Sequence, residues 1–294
     1  MELSSINTSP KCLFCEHAGY KSTPFEDTVF NNKTFQYIEC TNCGLVYVNP
    51  LPNADDLNKM YPVEYQGTLV TASIGWYKEL LSTIKSKGNF KTLLDYGCGG
   101  GRFVIEALEA GYEVSGTEYN PDLVKNLGEA IPAAKFLTID DFFKTDAKYD
   151  IIFLSNVLEH LTNPKEIMLL LKTRLNTNGI FVLEGPVENN FNLTKYARKS
   201  IFWVRKNLFN KKASHTPTHV LYANRKNQED FLKSIGLETL YYKIDESHWP
   251  FPSNYKDCDT MMKKMMFLIA DTSVKIGKKF SFWGNNFVYI GKVK

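Results

Sequence analysis

The sequence predicts an α/β protein, a doubly wound and mostly parallel sheet behind a small N-terminal zinc ribbon. Three observations carry that prediction. From residue 90 onward, short apolar strands alternate with helix-length amphipathic stretches, the arrangement of βα units that leads to parallel pairing. The first of these strands, Thr92–Tyr96, runs directly into a glycine cluster, Gly97-Cys98-Gly99-Gly100-Gly101. Ahead of both stand two Cys-x-x-Cys turns, Cys12/Cys15 and Cys40/Cys43.

Each Cys-x-x-Cys turn aims two sulfurs at one centre, and two such turns complete the tetrahedron that Zn²⁺ accepts. Between them Thr28 to Glu39 reads as a hairpin, and Leu45–Val48 after Gly44 reads as a further strand. Residues 1–50 are therefore expected to be the ribbon, with His17 superfluous once four cysteines ligate. Residues 51–89 read as a helical linker, with helices over Ala54–Tyr61 and Ile74–Lys87. The main domain follows at 90–294. Its expected strands are Thr92–Tyr96, Tyr112–Glu118, Lys135–Ile139, Tyr149–Ser155, Gly179–Glu184, Leu237–Ile244 and Phe287–Gly291, seven in all. Helices are expected after Gly101, over Asp122–Ala130, over Pro164–Leu175 and over Asn227–Ile235. Insertions fall at 186–218 and 246–284, the second holding a basic, Met-rich helix over Met261–Lys279.

Composition bounds the function. With 44% hydrophobic and 23% charged residues in 294, disorder, collagen and a simple coiled coil are excluded. The net charge of +3 is too small to point to nucleic acid. It is unevenly placed, because Asn189 to Gln228 holds basic residues and no acidic one. Within it, 195–212 interleaves Lys and Arg with aromatic residues, a pattern able to touch a membrane surface or anionic headgroups. No apolar run is long enough for a transmembrane segment, and Met1 to Pro10 lacks an export signal. The cytoplasm, with reduced cysteines, is the expected address.

A glycine-rich turn between a first strand and helix lets backbone approach a ligand closely. Asp95, at the end of that strand, can brace the loop or receive a cationic group. Glu118 ends the second strand, where a carboxylate grips ribose hydroxyls. Together they predict a nucleoside site. The Gly-x-Gly-x-x-Gly fingerprint of dinucleotide enzymes is absent, since Arg102 and Val104 stand where its last glycine would.

Asp95-Tyr96-Gly97-Cys98-Gly99-Gly100-Gly101, Gly116-Thr117-Glu118-Tyr119-Asn120 and the run Tyr149 to Leu161, ending Ser155-Asn156-Val157-Leu158-Glu159-His160-Leu161, resemble motifs of the class I S-adenosylmethionine-dependent methyltransferases. The resemblance implies a Rossmann-like seven-stranded fold and S-adenosylmethionine as cofactor. It implies cofactor contacts from Asp95, Gly97, Gly99, Gly101 and Glu118, with Tyr119 beside the adenine. Asp140 or Asp141 would meet the adenine amine, and Ser155 and Asn156 the methionine end. The ribbon fused ahead is similar to bacterial methyltransferases of sugar and polysaccharide biosynthesis. These have substrate-side tyrosines, matched here by Tyr61 and Tyr65, and a Glu-His pair, of which His219 is present while Thr218 replaces the glutamate.

The expected function is methyl transfer to a small-molecule acceptor, a sugar nucleotide or glycan precursor, with His219 as base and His160 as a positioning residue. The alternatives are an RNA methyltransferase that holds nucleic acid with ribbon and basic segment, and an inactive zinc-ribbon interaction protein.

Overall fold

The computed structural model describes residues 10–61, 69–70, 72–209, 216–248 and 254–294. Its N-terminal strands are β1 (Tyr20–Ser22), β2 (Thr28–Phe30), β3 (Lys33–Cys40) and β4 (Val46–Asn49). β3 is the organising strand and pairs antiparallel with the other three. The β2–β3 turn is Asn31-Asn32, both at positive φ, the backbone a two-residue hairpin needs and asparagine tolerates.

Two linker helices follow. α1 (Ala54–Met60) starts at a reciprocal cap, with the Asn53 side chain on the Asp56 N–H and the Asp56 side chain on the Asn53 N–H. α2 (Lys78–Lys85) is shorter than the expected Ile74–Lys87. Gly75 sits at φ +72°, which breaks the helix, and Glu106 accepts the Trp76 and Tyr77 N–H groups instead.

The main sheet is built from β5 (Thr92–Tyr96), β6 (Glu113–Glu118), β7 (Lys135–Thr138), β8 (Tyr149–Ser155), β9 (Leu175–Pro186), β11 (Leu237–Asp245) and β12 (Asn286–Val293), with β10 (Leu221–Tyr222) lying elsewhere. The order is β7-β6-β5-β8-β9-β12-β11. Only β12 runs against its neighbours, so the fold is the mostly parallel, seven-stranded Rossmann-like sheet that the alternation implied. Around it lie α3 (Arg102–Glu109), α4 (Pro121–Ala130), α5 (Ile139–Phe143), α6 (Pro164–Lys172), α7 (Leu193–Phe209), α8 (Arg225–Ser234) and α9 (Met261–Gly277). The strand order reverses between β5 and β8, and such a switch point opens the crevice where these sheets bind ligands.

Some elements differ from the pattern reading. α6 ends at Lys172, and β9 begins at Leu175 rather than Gly179. α5 caps itself on Thr138 and is too short to leave a periodic signal. The basic part of the first insertion forms α7. β10 adds to the N-terminal sheet, with Leu221 opposite Tyr47 and Tyr222 opposite Val46. The N-terminal unit and the main domain also share a core in which Cys12, Phe14, Leu45 and Tyr47 pack with Leu94, Leu154 and Phe231. There Phe14 stacks on Phe231 with ring centroids 4.3 Å apart. Among the described residues no helix is long and apolar enough to cross a membrane.

Candidate active site and cysteine cluster

The glycine turn leaves β5 at the switch point. Gly97, Gly99 and Gly101 all take positive φ, which a side chain would strain. The Gly97 and Cys98 N–H groups both donate to the Thr117 carbonyl at 2.9 Å, folding the turn onto the end of β6. A Cβ at Gly101 would meet Leu127 and Ile131 of α4 and its flank within 2.9 Å, so this glycine secures close packing of the helix.

Glu118 is knitted to that turn. Its carboxylate accepts the Gly99 N–H at 2.9 Å and the Tyr119 N–H at 2.7 Å. An ionised carboxylate offers about four acceptor positions, so two sites remain for a diol. Asp95 is 2% exposed, and its Oδ1 has no hydrogen-bond partner among the described residues. Burial, and then the Glu118 and Glu184 charges, push its pKa well above the ordinary carboxylate value. A buried acceptor of this kind is relieved by a cation. These residues fit S-adenosylmethionine: a diol for Glu118, an ammonium for Asp95, and glycines that admit backbone contact.

The other expected cofactor residues spread more widely. Ser155 donates to Glu184 at 2.6 Å, and Asn156, at φ +51°, donates to Ser155 at 3.1 Å. The Tyr77 hydroxyl hydrogen-bonds within the same Ser155–Glu184 group. Tyr119 is exposed, its hydroxyl donating to Asn58 of α1 at 2.9 Å. Asp140 is exposed at the start of α5, and Asp141 is engaged by Thr138 and Lys144.

A second group forms at the ends of β8 and β9. His160 Nδ1 lies 2.7 Å from the Thr218 carbonyl and therefore carries the proton that it donates there. The Tyr61 hydroxyl is 3.0 Å from the same nitrogen and also donates to the Thr218 carbonyl. The His160 and His219 rings meet edge to face with centroids 4.9 Å apart. His219 Nδ1 is 3.0 Å from Glu188 Oε2. This carboxylate beside His219, just beyond β9, was not among the residues expected from the sequence. Tyr65 lies outside the described residues.

The two imidazoles are driven apart electrostatically. Burial, helped by His219, lowers the His160 pKa to about 4. Burial also opposes protonation of His219, but the Glu188 charge and hydrogen bond, with Glu159, outweigh it and raise that pKa above the usual histidine value. Glu159 is itself buried, and burial raises its pKa to about 7. Ligand atoms of Glu159, His160 and His219 lie within 4.8 Å of one another.

Cys12, Cys15, Cys40 and Cys43 converge in the same way. Cys12 and Cys43 sulfurs are 3.5 Å apart, and Cys15 and Cys40 sulfurs 3.6 Å. That is far beyond an S–S bond of about 2.05 Å. It is close to the edge of a tetrahedron with zinc–sulfur bonds of about 2.3 Å. His17 bonds to Thr41 at 3.1 Å, away from the sulfurs.

Two cations of the basic segment pair with the N-terminal unit. Arg205 pairs with Glu26 at 2.6 Å and Lys206 with Asp27 at 3.1 Å. Lys211 and Lys212 lie outside the described residues.

Residues 74–242 match a family model described as a methyltransferase domain. A ubiquinone biosynthesis O-methyltransferase of Rickettsia bellii is 27% identical over 169 residues, covering 53% of this chain and 68% of that protein. Among solved structures, a magnesium protoporphyrin IX methyltransferase from Synechocystis PCC 6803 with bound SAH is similar at 15% identity and a TM-score of 0.47, over 82% of this chain and 94% of that one. A SAM-dependent methyltransferase from Archaeoglobus fulgidus is similar at 19% identity and a TM-score of 0.46, over 73% and 91%.

Proposed function

The chain belongs to the methyltransferase-domain family and is an S-adenosylmethionine-dependent methyltransferase, and from that premise we propose that it methylates a hydroxyl of a sugar nucleotide or glycan precursor. The observation that carries this reading is the Glu188–His219 pair at 3.0 Å, beside His160 and Tyr61. A methyl acceptor with a hydroxyl must lose a proton, and a histidine oriented by a carboxylate is suited to take it. The cofactor, when bound, supplies an electrophilic methyl group on a sulfonium.

The positions of the protein's residues support the following roles. Glu118 holds the ribose, Asp95 the ammonium, and the glycine turn lets backbone close on both. Glu188 fixes the His219 tautomer and stabilises the imidazolium formed when His219 takes the acceptor proton. His160, neutral and tied to Thr218, positions the acceptor with Tyr61. Taking the acceptor proton, His219 leaves the acceptor oxygen an electron pair for the methyl group that the cofactor, held by Glu118 and Asp95, would supply. The relative's O-methyltransferase name favours oxygen as the accepting atom. The pairing of Arg205 and Lys206 with Glu26 and Asp27 disfavours an RNA surface there.

We assign the four cysteines a structural Zn²⁺ that fixes the N-terminal sheet against α8. A screen of nucleotide-linked sugars and phenols, read as S-adenosylhomocysteine release, tests the acceptor. Turnover with a nucleotide sugar, abolished in His219→Ala, is expected; turnover with phenols alone overturns the sugar reading.

A further inference from the structure

We propose that the cleft between the first turns of α7 and the ends of β9 and β12 is an anion subsite that holds the phosphate of the methyl acceptor. It deepens the acceptor reading above and rests on it. The cleft is partly open to solvent, and Glu188, Asn192, Thr194, Lys195, Arg198 and Asn286 contribute to its lining. Glu188 is the partner of His219, so the cleft adjoins the proposed base directly.

Three features point to an anion. The first is a contrast along one helix. The distal cations of α7, Arg205 and Lys206, are neutralised by Glu26 and Asp27. Lys195 and Arg198, which face the cleft, have no carboxylate within ion-pairing distance among the described residues. Lys195 Nζ donates to the Asn189 carbonyl at 2.7 Å, which holds the ammonium in place without balancing its charge. The second is Thr194, a lining residue 4% exposed, whose buried Oγ1 has no hydrogen-bond partner among the described residues. A buried hydroxyl left so is a standing cost unless a ligand meets it. The third is the N-terminus of α7, a 17-residue helix, whose first turn contributes to the lining. Helix N-termini favour negative charge.

Glu188 is the one carboxylate among the described lining residues, and its Oε2 is engaged by His219 Nδ1 at 3.0 Å, with no ion pair to Lys195 or Arg198. Burial, and next the Lys199 charge, pull the Lys195 pKa down to about 8, a displacement that an anion in the cleft would oppose. A phosphate held by Lys195, Arg198 and Thr194 places the rest of the acceptor one side chain from the Glu188–His219 pair.

The test is calorimetric titration of pyrophosphate into the full chain saturated with S-adenosylhomocysteine. Saturable binding is expected, weakened about tenfold or more in Arg198→Gln and in Lys195→Gln, since each removes a charge-assisted hydrogen bond. Thr194→Val should weaken it by a smaller factor. S-adenosylhomocysteine affinity, measured on each variant before saturation, reports that it is folded. No saturable binding, or binding indifferent to both charge removals, overturns the subsite. If pyrophosphate binds as expected while no nucleotide sugar is methylated, the subsite stands and the acceptor reading falls.

Discussion

The two halves of the site are built in opposite ways. On the proposed cofactor side, Asp95, the glycine turn and Glu118 come from two adjacent parallel strands, β5 and β6, and the loop between β5 and α3. On the proposed acceptor side, Tyr61, His160, Glu188 and His219 come from four separate segments. They meet only because β10 crosses to pair with β4 and the Thr218 carbonyl ties Tyr61 to His160. A site made within one βαβ unit needs only that unit to fold. A site made from four segments depends on how the N-terminal unit docks.

That contrast predicts which perturbations travel. The largest effect is expected for Cys40→Ser, which should release the metal. Structural zinc sites contribute roughly 10–16 kcal/mol of apparent binding free energy in isolated fingers. Elemental analysis should fall from one zinc per chain to none, with acceptor turnover lost and S-adenosylmethionine binding retained. Wild-type protein carrying well under one zinc would remove the metal assignment. Cofactor binding lost together with the zinc would erase the distinction between the halves.

His219→Ala should lower turnover by about 10²–10⁴, as general-base removal does. If it turns over normally while His160→Ala is inactive, the two histidines exchange roles.

Glu188→Gln should act more gently and show itself in pH. Glu188 raises the His219 pKa, so removing its charge should move the acidic limb of the kcat/KM profile to lower pH. The same shift enters stability. A raised histidine pKa stabilises the fold fully below the unfolded value of about 6.5, and the contribution disappears as pH rises through the folded pKa. Thermal melts of Glu188→Gln should therefore differ from wild type more at pH 5 than at pH 9. An unchanged acidic limb would show that Glu188 does not govern the base.

The legibility of the molecule in its sequence follows the same division. The glycine cluster, Asp95, Glu118 and the paired cysteines carry their meaning at short spacing, and the alternation of strands and helices implied the main sheet. Glu188 was not legible, because nothing local distinguishes it from any strand-end carboxylate. Its role exists only through His219, 31 residues on. Nor was the use of Arg205 and Lys206, whose partners Glu26 and Asp27 lie some 180 residues earlier. The start of α2 was misplaced because Gly75 and the Glu106 carboxylate, not the apolar stripe, set it.

Calorimetric titration of S-adenosylmethionine into wild type, Glu118→Ala and His219→Ala tests the division most directly. Loss of charge-assisted hydrogen bonds worth about 1.5–3 kcal/mol each should weaken binding tenfold or more in Glu118→Ala. Affinity in His219→Ala should stay within about twofold of wild type, well under the 1.4 kcal/mol of a tenfold change. Unchanged affinity in Glu118→Ala, or a comparable loss in His219→Ala, would contradict the account.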